Sequence, residues 1–338
     1  MSGPLTMPKF SIVVPVYNRP DEVNELLATL TKQTFSDFEV IIVEDGSTIT
    51  SEEIVKSYQQ QIKITYLFKP NGGQGFARNS GFEQCQGDYF IVLDSDCLIP
   101  EQYLACINSY LNKNQIDAFG GPDAAHPSFT TIQKAISQTM TSFFTTGGIR
   151  GNKTHVGTYH PRSFNMGMTR EVYEKTKGYL IPFMGEDMEF STRILQNGFI
   201  TALIPEAFVY HKRRTNPMKF FKQLMYFGRA RINLSRFHKG QIGLVHLFPT
   251  VFTLGLILSV LAALVIPMPY GNLGLQFYSA YLILVFAESL IKTKSIRVAL
   301  LTPLMTILQM TGYGFGLVYE WIRKLGGIDP NTKYIELY

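Results

Sequence analysis

Residues 207 to 287 contain not one aspartate or glutamate. The same third of the sequence carries three long apolar runs, at 247–266, 273–291 and 298–319. Each is close to the ~20 residues that a helix needs to cross the hydrocarbon of a bilayer. Glu288 and Gln309 are the strongly polar interruptions. The pattern predicts a membrane domain over residues 241–338 with about three spans. The whole-chain figures, 338 residues with 46 % hydrophobic and 17 % charged side chains and a net charge of +5, hide this asymmetry: the acids sit in the first two thirds. A basic block beside apolar runs points to anionic lipid headgroups as partner and not to nucleic acid.

Just before these runs, residues 216–240 read as a basic amphipathic helix lying in the membrane interface. Phe220, Phe221, Leu224, Phe227 and Leu234 give its apolar positions, and Lys219, Lys222, Arg229, Arg231, Arg236 and Lys239 its charge. Basic residues also set the orientation. The cluster at 212–239 keeps the entry to the first span in the cytoplasm, the uncharged link at 267–272 lies outside, and Lys292, Lys294 and Arg297 mark a second cytoplasmic loop. A third full span then leaves Arg323 and Lys324 outside, against the rule. Pro303 and the series Gly312, Gly314, Gly316 offer another outcome, a bent segment or one packed closely on a neighbour. Residues 1–9 have no apolar core of signal-peptide length, so the N-terminal domain is expected in the cytoplasm, at the inner membrane. Cys85, Cys97 and Cys106 have no metal-type spacing and read as reduced thiols, which agrees.

Residues 1–215 form the first domain, and its first half alternates between apolar, β-branched strands and amphipathic helices. Strands are expected at 10–16, 39–44, 62–68 and 89–93, and helices from Pro20, at 51–60, 74–86 and 100–111. This order predicts an α/β fold, a mostly parallel, Rossmann-like sheet with helices on both faces. Residues 120–178 are less regular and read as loops and short elements lying across a site. A helix is expected at 185–197, closed by Gly198, and a short strand at 201–204. In such sheets ligands bind at the carboxyl ends of the strands. Those ends read Val-Pro-Val-Tyr-Asn (14–18), Glu-Asp-Gly-Ser (44–47), Asn-Gly-Gly-Gln-Gly-Phe-Ala-Arg-Asn-Ser-Gly (71–81) and Asp-Ser-Asp (94–96). Two acids one residue apart after a buried strand are costly unless a cation lies between them. A hard divalent cation takes oxygen ligands and bridges to diphosphate; the plainer reading is that Asp94 or Asp96 caps the helix that follows.

These motifs, followed by Gly-Glu-Asp at 185–187, resemble in order and spacing the family 2 inverting glycosyltransferases of GT-A fold, over residues 8 to 215. The resemblance implies a nucleotide-sugar donor, a divalent Mn²⁺ or Mg²⁺ cofactor and a role for each motif. Pro15, Tyr17 and Asn18 would line the base and ribose pocket, and Asp45 would hydrogen-bond the base. Gly72, Gly73 and Gly75 would let the backbone approach the nucleotide. Arg78 would place fixed charge near the diphosphate, its alternative being a solvated helix arginine. Asp94 would contact the ribose or metal-bound water, and Asp96 would bind the metal. Asp187 would be the base that deprotonates the acceptor, with Glu186 as the alternative; both also suit a helix N-terminus. Asn165 would sit in the acceptor region, and His211 would be a further metal or diphosphate ligand or a loop histidine. Lys212, Arg213 and Arg214 suit the donor diphosphate, a lipid-linked diphosphate acceptor or only headgroups, the last most economically. His126, His155 and His160 have no ligand spacing.

Processive members of the family carry Gln-x-x-Arg-Trp before a channel-forming bundle. Here Gln223 is followed by Leu224-Met225-Tyr226-Phe227, and the single tryptophan, Trp321, is far away. Single addition to a membrane-embedded acceptor is therefore expected, a polyprenyl phosphate or a glycan on a polyprenyl diphosphate. A nucleotidyltransferase acting on a sugar phosphate would show a Gly-rich basic loop after the first strand, where Tyr17-Asn18-Arg19-Pro20 stands. A non-catalytic membrane scaffold would have no need of Asp94, Asp96, Glu186 and Asp187. A transporter would carry paired intramembrane charges.

Overall fold

The structure is a computed structural model that describes residues 7–146 and 159–330; His155 lies outside them. The chain forms two compact units, the first from residues up to Ala124 and from Lys153 to Lys212, the second from the segment that begins at Ala125 and from Arg213 onward.

The first unit begins β1 (Phe10–Val16), α1 (Pro20–Leu30), β2 (Phe38–Asp45), α2 (Glu52–Tyr58), β3 (Ile64–Lys69), α3 (Gln74–Phe82), β4 (Tyr89–Leu93), β5 (Cys97–Leu98), α4 (Tyr103–Leu111), β6 (Ala118–Gly120) and β7 (Asp123–Ala124). In the second unit the chain then adds α5 (Thr131–Thr141) and α6 (Phe143–Thr146). Back in the first unit come β8 (Asn165–Thr169), α7 (Arg170–Thr176), α8 (Glu186–Gln196), β9 (Thr201–Leu203) and β10 (Val209–His211). The main sheet runs β3-β2-β1-β4-β8-β6-β9, and β1 to β4 are mutually parallel. Alternation along β1 divides the core: Phe10, Ile12, Val14 and Val16 face α1, α2 and α4, whereas Val13 faces α3, α7 and α8. Burying each such side chain contributes about 1.5–3 kcal/mol, so the expected two-faced sheet follows from the sequence alternation. Pro15 is tolerated in this central strand because pairing with β4 ends at Val13↔Val92, before the missing N–H is required.

The segment expected as irregular loops contains a strand of the sheet interior. β8 is antiparallel to both β4 and β6, with Gly167 opposite Phe119. A Cβ at Gly167 would lie 2.0 Å from the Phe119 ring. That glycine and the lack of β-branched residues before Thr169 are what hid the strand. Two helices are shorter than their patterns: α3 stops at Phe82, and α4 starts at Tyr103 with Gln102 as its N-cap. Neither Asp94 nor Asp96 therefore caps it.

The second unit is helical: α5, α6, α9 (Pro217–Phe237), α10 (Leu244–Val265), α11 (Leu273–Thr293) and α12 (Ile296–Leu325). The segments Leu244–Val265, Tyr270–Thr293 and Ile296–Leu325 are each long and apolar enough to cross a membrane. They differ in company: 11 % of the most apolar window is buried within the protein for each of the first two, against 50 % for the third. α9 is not solely a surface helix. Its Phe220, Leu224, Gly228 and Ile232 are buried, and Gly228, Gly312 and Gly316 bring its backbone directly onto that of α12. Glu320, fully buried on α12, pairs with Arg229 at 3.0 Å and Arg236 at 2.9 Å.

Candidate active site

At the end of β2, Asp45 accepts hydrogen bonds from the N–H groups of Gly72 and Gly73, at 2.9 and 2.8 Å, and pairs with Lys69 at 2.9 Å. Its carboxylate thus shapes the glycine-rich loop. At the end of β1, Asn18 adopts a left-handed conformation, φ 53°. Its Oδ1 accepts from the N–H groups of Thr48 and Ile49, and its own N–H donates to Ser47. Tyr17 beside it is 52 % exposed.

The loop's glycines serve a contact that their spacing did not reveal. Gly73 has φ +94°, and a Cβ there would lie 2.6 Å from Pro182. A Cβ on Gly75 would lie 2.3 Å from the carbonyl oxygen of Ile181, and Gly75 N–H donates to Pro182 O at 2.8 Å. The bare backbone of α3 therefore receives residues 181–183, where close approach to a nucleotide was expected. From there Met184 and Gly185, both at positive φ, swing the chain into α8.

That turn delivers Glu186 to Arg78. Arg78 is not a solvated helix arginine: its side chain is 2 % exposed, and its guanidinium bridges Asp94 at 2.9 Å and Glu186 at 3.0 Å. Tyr179 lies against it, 5.3 Å to the ring centroid. Gln74 also donates to Glu186. Burial pushes the Glu186 carboxyl up, neighbouring Asp187 adds to the rise, and Arg78 opposes it. Asp187 stands nearer the rim, 26 % exposed, with Arg162 at 3.2 Å from Oδ2.

Asp96 forms the adjoining cluster. The pairing of β10 with β5 sets His211 opposite Cys97, which brings His211 Nε2 to 3.1 Å from Asp96 Oδ1. Arg19 approaches Asp96 Oδ2 at 3.1 Å, and the imidazole stacks on Phe164. Single ligand atoms of Asp96, Cys97 and His211 lie within 4.8 Å of one another. Cys97 is fully buried and burial raises its thiol well above the usual range, so the thiolate form is disfavoured. Carboxylate and imidazole are the donors that fit a divalent ion here.

Chain adjacency makes these clusters one set. Gly73 and Gln74 join Asp45 to Glu186, residues 94 and 96 share one turn, and residues 186 and 187 are neighbours. Asn165 departs from its expected role. It is 1 % exposed, accepts from Tyr103 OH at 2.6 Å and donates to Ala207 O at 2.7 Å, so it is bound into the fold with no face toward an acceptor. Lys69, Gln74, Arg19 and Arg162 were missed. The first three sit in or beside the motifs; Arg162 stands in a stretch with no pattern to mark it.

Residues 11–175 match the family described as glycosyl transferase family 2. They are a family 2 glycosyl transferase domain. The domain is 35 % identical over 115 residues to the poly(ribitol-phosphate) beta-N-acetylglucosaminyltransferase TarS of Staphylococcus aureus, covering 33 % of this chain and 20 % of that one. It is 33 % identical over 115 residues to the uncharacterized glycosyltransferase EpsJ of Bacillus subtilis, covering 34 % and 33 %. The matched stretch thus spans a fifth to a third of these relatives. Among solved structures, the chain resembles a mannosyltransferase of Pyrobaculum calidifontis in complex with GDP-Man and Mn²⁺, with TM-score 0.64, 17 % identity, and 91 % and 89 % of the two chains covered. At that identity the likeness supports the GT-A fold alone.

Proposed function

We propose that this chain is a metal-dependent, inverting glycosyltransferase that moves a sugar from a nucleotide-sugar donor to a membrane-embedded acceptor. The acceptor is a polyprenyl phosphate or a glycan carried on a polyprenyl diphosphate, in cell-surface polysaccharide or glycolipid synthesis. The observation that carries the reading is Arg78, one buried guanidinium held between an acid at the end of β4 and an acid at the start of α8. The family 2 domain supports the donor class.

A glycan hydroxyl, or a phosphate oxygen where the acceptor is a polyprenyl phosphate, attacks the anomeric carbon from the face opposite the diphosphate. The carbon–oxygen bond to the diphosphate breaks, and a nucleoside diphosphate leaves. Where the nucleophile is a hydroxyl, Asp187 takes its proton; an ionised phosphate oxygen has none to give. Asp187 suits this role better than Glu186, whose carboxyl is buried and engaged by Arg78 and Gln74. Asp96, with Asp94 and His211, would hold Mn²⁺ or Mg²⁺, which supplies positive charge to the departing diphosphate. Tyr17, Asn18 and Asp45 flank the nucleoside, with Pro15 behind them. The three apolar helices would anchor the unit at the inner membrane with the catalytic domain in the cytoplasm, where the basic α9 meets anionic headgroups.

The test uses the detergent-solubilised chain with a panel of nucleotide sugars, reading thermal stabilisation and donor hydrolysis with and without Mn²⁺. Asp187→Asn should keep donor binding and lose transfer, and Asp96→Ala should lose metal-dependent donor binding. Near-normal turnover by Asp187→Asn would remove it as the base. Absence of any donor response would remove the reading itself.

A further inference from the structure

The sequence offers a third membrane crossing, but the contacts inside the helical unit describe something else. α10 and α11 form an antiparallel hairpin: Tyr278 OH donates to Phe252 O at 2.7 Å, and Gly274 sits against Ser259. Residues 267–272 turn the hairpin at one end. The start of α10 and the finish of α11 lie at the other.

α12 leaves from that second end, where the hydroxyls of Thr302 and Ser289 meet at 2.8 Å. It then meets α10. Thr253 donates to Met310 O at 3.2 Å, and Gly314 lies on the Pro249 carbonyl. At 1.5 Å per residue, Met310 and Gly314 are about 21 and 27 Å along α12, whereas Pro249 and Thr253 are only about 8 and 14 Å along α10. A helix climbing beside the hairpin would by then be near the 267–272 turn. α12 instead slants across the hairpin's base. Its last turns run along α9: Glu320 pairs with Arg229 and Arg236, and Lys324 donates to Ser235 at 2.8 Å. Residues 238–243 alone separate α9 from the start of α10. Both ends of α12 are therefore tied to the same end of the hairpin.

The side chains of α12 agree. Thr302, Thr306, Gln309 and Glu320 are buried, while Ile296, Leu300, Leu304, Phe315, Tyr319 and Ile322 are exposed along the opposite face. Apart from Arg297 in the first turn, the arrangement is inverted with respect to a helix facing water: the open side is apolar and the polar side is inside. A lipid-facing position suits such a stripe, and Arg323 and Lys324 beside the basic α9 fit headgroup level.

We infer that α12 lies in the plane of the membrane surface as a lipid-contacting strip, that among the described segments the α10–α11 hairpin alone crosses the bilayer, and that residues 326–330 lie on the side on which α9 lies. This rests on the second unit being the membrane anchor of the proposed enzyme. It also removes the exception to the positive-inside pattern that a third crossing creates at Arg323 and Lys324.

Single cysteines at Asn272 and Ile328, each in a Cys106→Ser background of the full chain, provide the test. Labelling uses a membrane-impermeant maleimide on spheroplasts and on inverted vesicles. Asn272→Cys should label from outside and Ile328→Cys only in inverted vesicles. Labelling of both from outside overturns the surface placement of α12 and leaves the anchor intact. If Asn272→Cys fails to label from outside but labels in inverted vesicles, the hairpin does not cross, and both the inference and the anchoring in the proposed function fall. A reporter fused to the C-terminus, active only outside the inner membrane, gives a second readout that needs no cysteine: activity overturns the inference, silence with a fluorescent cytoplasmic counterpart supports it.

Discussion

Replacing Arg78 by methionine keeps most of the side chain's length and removes its charge. Its guanidinium and the Glu186 carboxylate are both buried, 2 % and 5 % exposed, and 3.0 Å apart. Removing one partner of such a pair leaves an uncompensated charge and costs about 3–5 kcal/mol. Asp94 is 31 % exposed, so water screens the loss of its 2.9 Å contact and adds at most about 1 kcal/mol. The stacking on Tyr179 adds about 0.5–2 kcal/mol. These terms overlap, and the rise in the Glu186 carboxyl allows it to escape by protonating. The expected net destabilisation is therefore about 3–4 kcal/mol, the low end of the pair's range. The assay is thermal and urea unfolding of the detergent-solubilised chain near neutral pH, following the first unit's signal. A second substitution separates charge from packing: Arg78→Met with Glu186→Gln should be more stable than Arg78→Met alone, because no buried carboxylate remains without a counter-charge. A single variant within about 0.5 kcal/mol of the parent would refute the reasoning, that value being typical of surface changes. Equal stability of the single and double variants would show that the effect is packing and not charge.

Gly75→Ala should destabilise the first unit by about 1–3 kcal/mol, because the new methyl meets the Ile181 carbonyl at 2.3 Å and backbone has to move; thermal unfolding reads this, and donor affinity should fall with it. The Glu186 carboxyl sits above the ordinary range in the fold because it is buried. Between the unfolded and the folded value the native chain therefore holds more protons than the unfolded one, so stability falls as pH rises through that window and is not penalised below it. Glu186→Gln should flatten this slope, measured as the unfolding midpoint against pH; an unchanged slope would assign it to another group.

The alternation in β1 and β2, the spacing of Val23, Leu26, Leu27 and Leu30 in α1, and the polar motifs after each strand were legible because they are local. Period and composition state which face of an element is buried, and the parallel sheet with acids at its carboxyl ends follows. β8 was not legible, since Gly167 earns its place from the ring of Phe119, far off in sequence. Asn165 was misassigned for the same reason: its partners Tyr103 and Ala207 are distant, and a polar residue bound inside reads like one free to bind a ligand.

By itself, then, the sequence determined the α/β sheet, the order of the polar strand ends and a basic helix followed by membrane-length apolar segments, because each is a property of neighbouring residues. Only the tertiary structure decided that Arg78 joins β4 to α8, that the loop glycines admit residues 181–183, and that Glu320 is buried against the arginines of α9. Those outcomes depend on which distant backbones approach closely enough to pair charges away from water, and no periodicity along the chain encodes that approach.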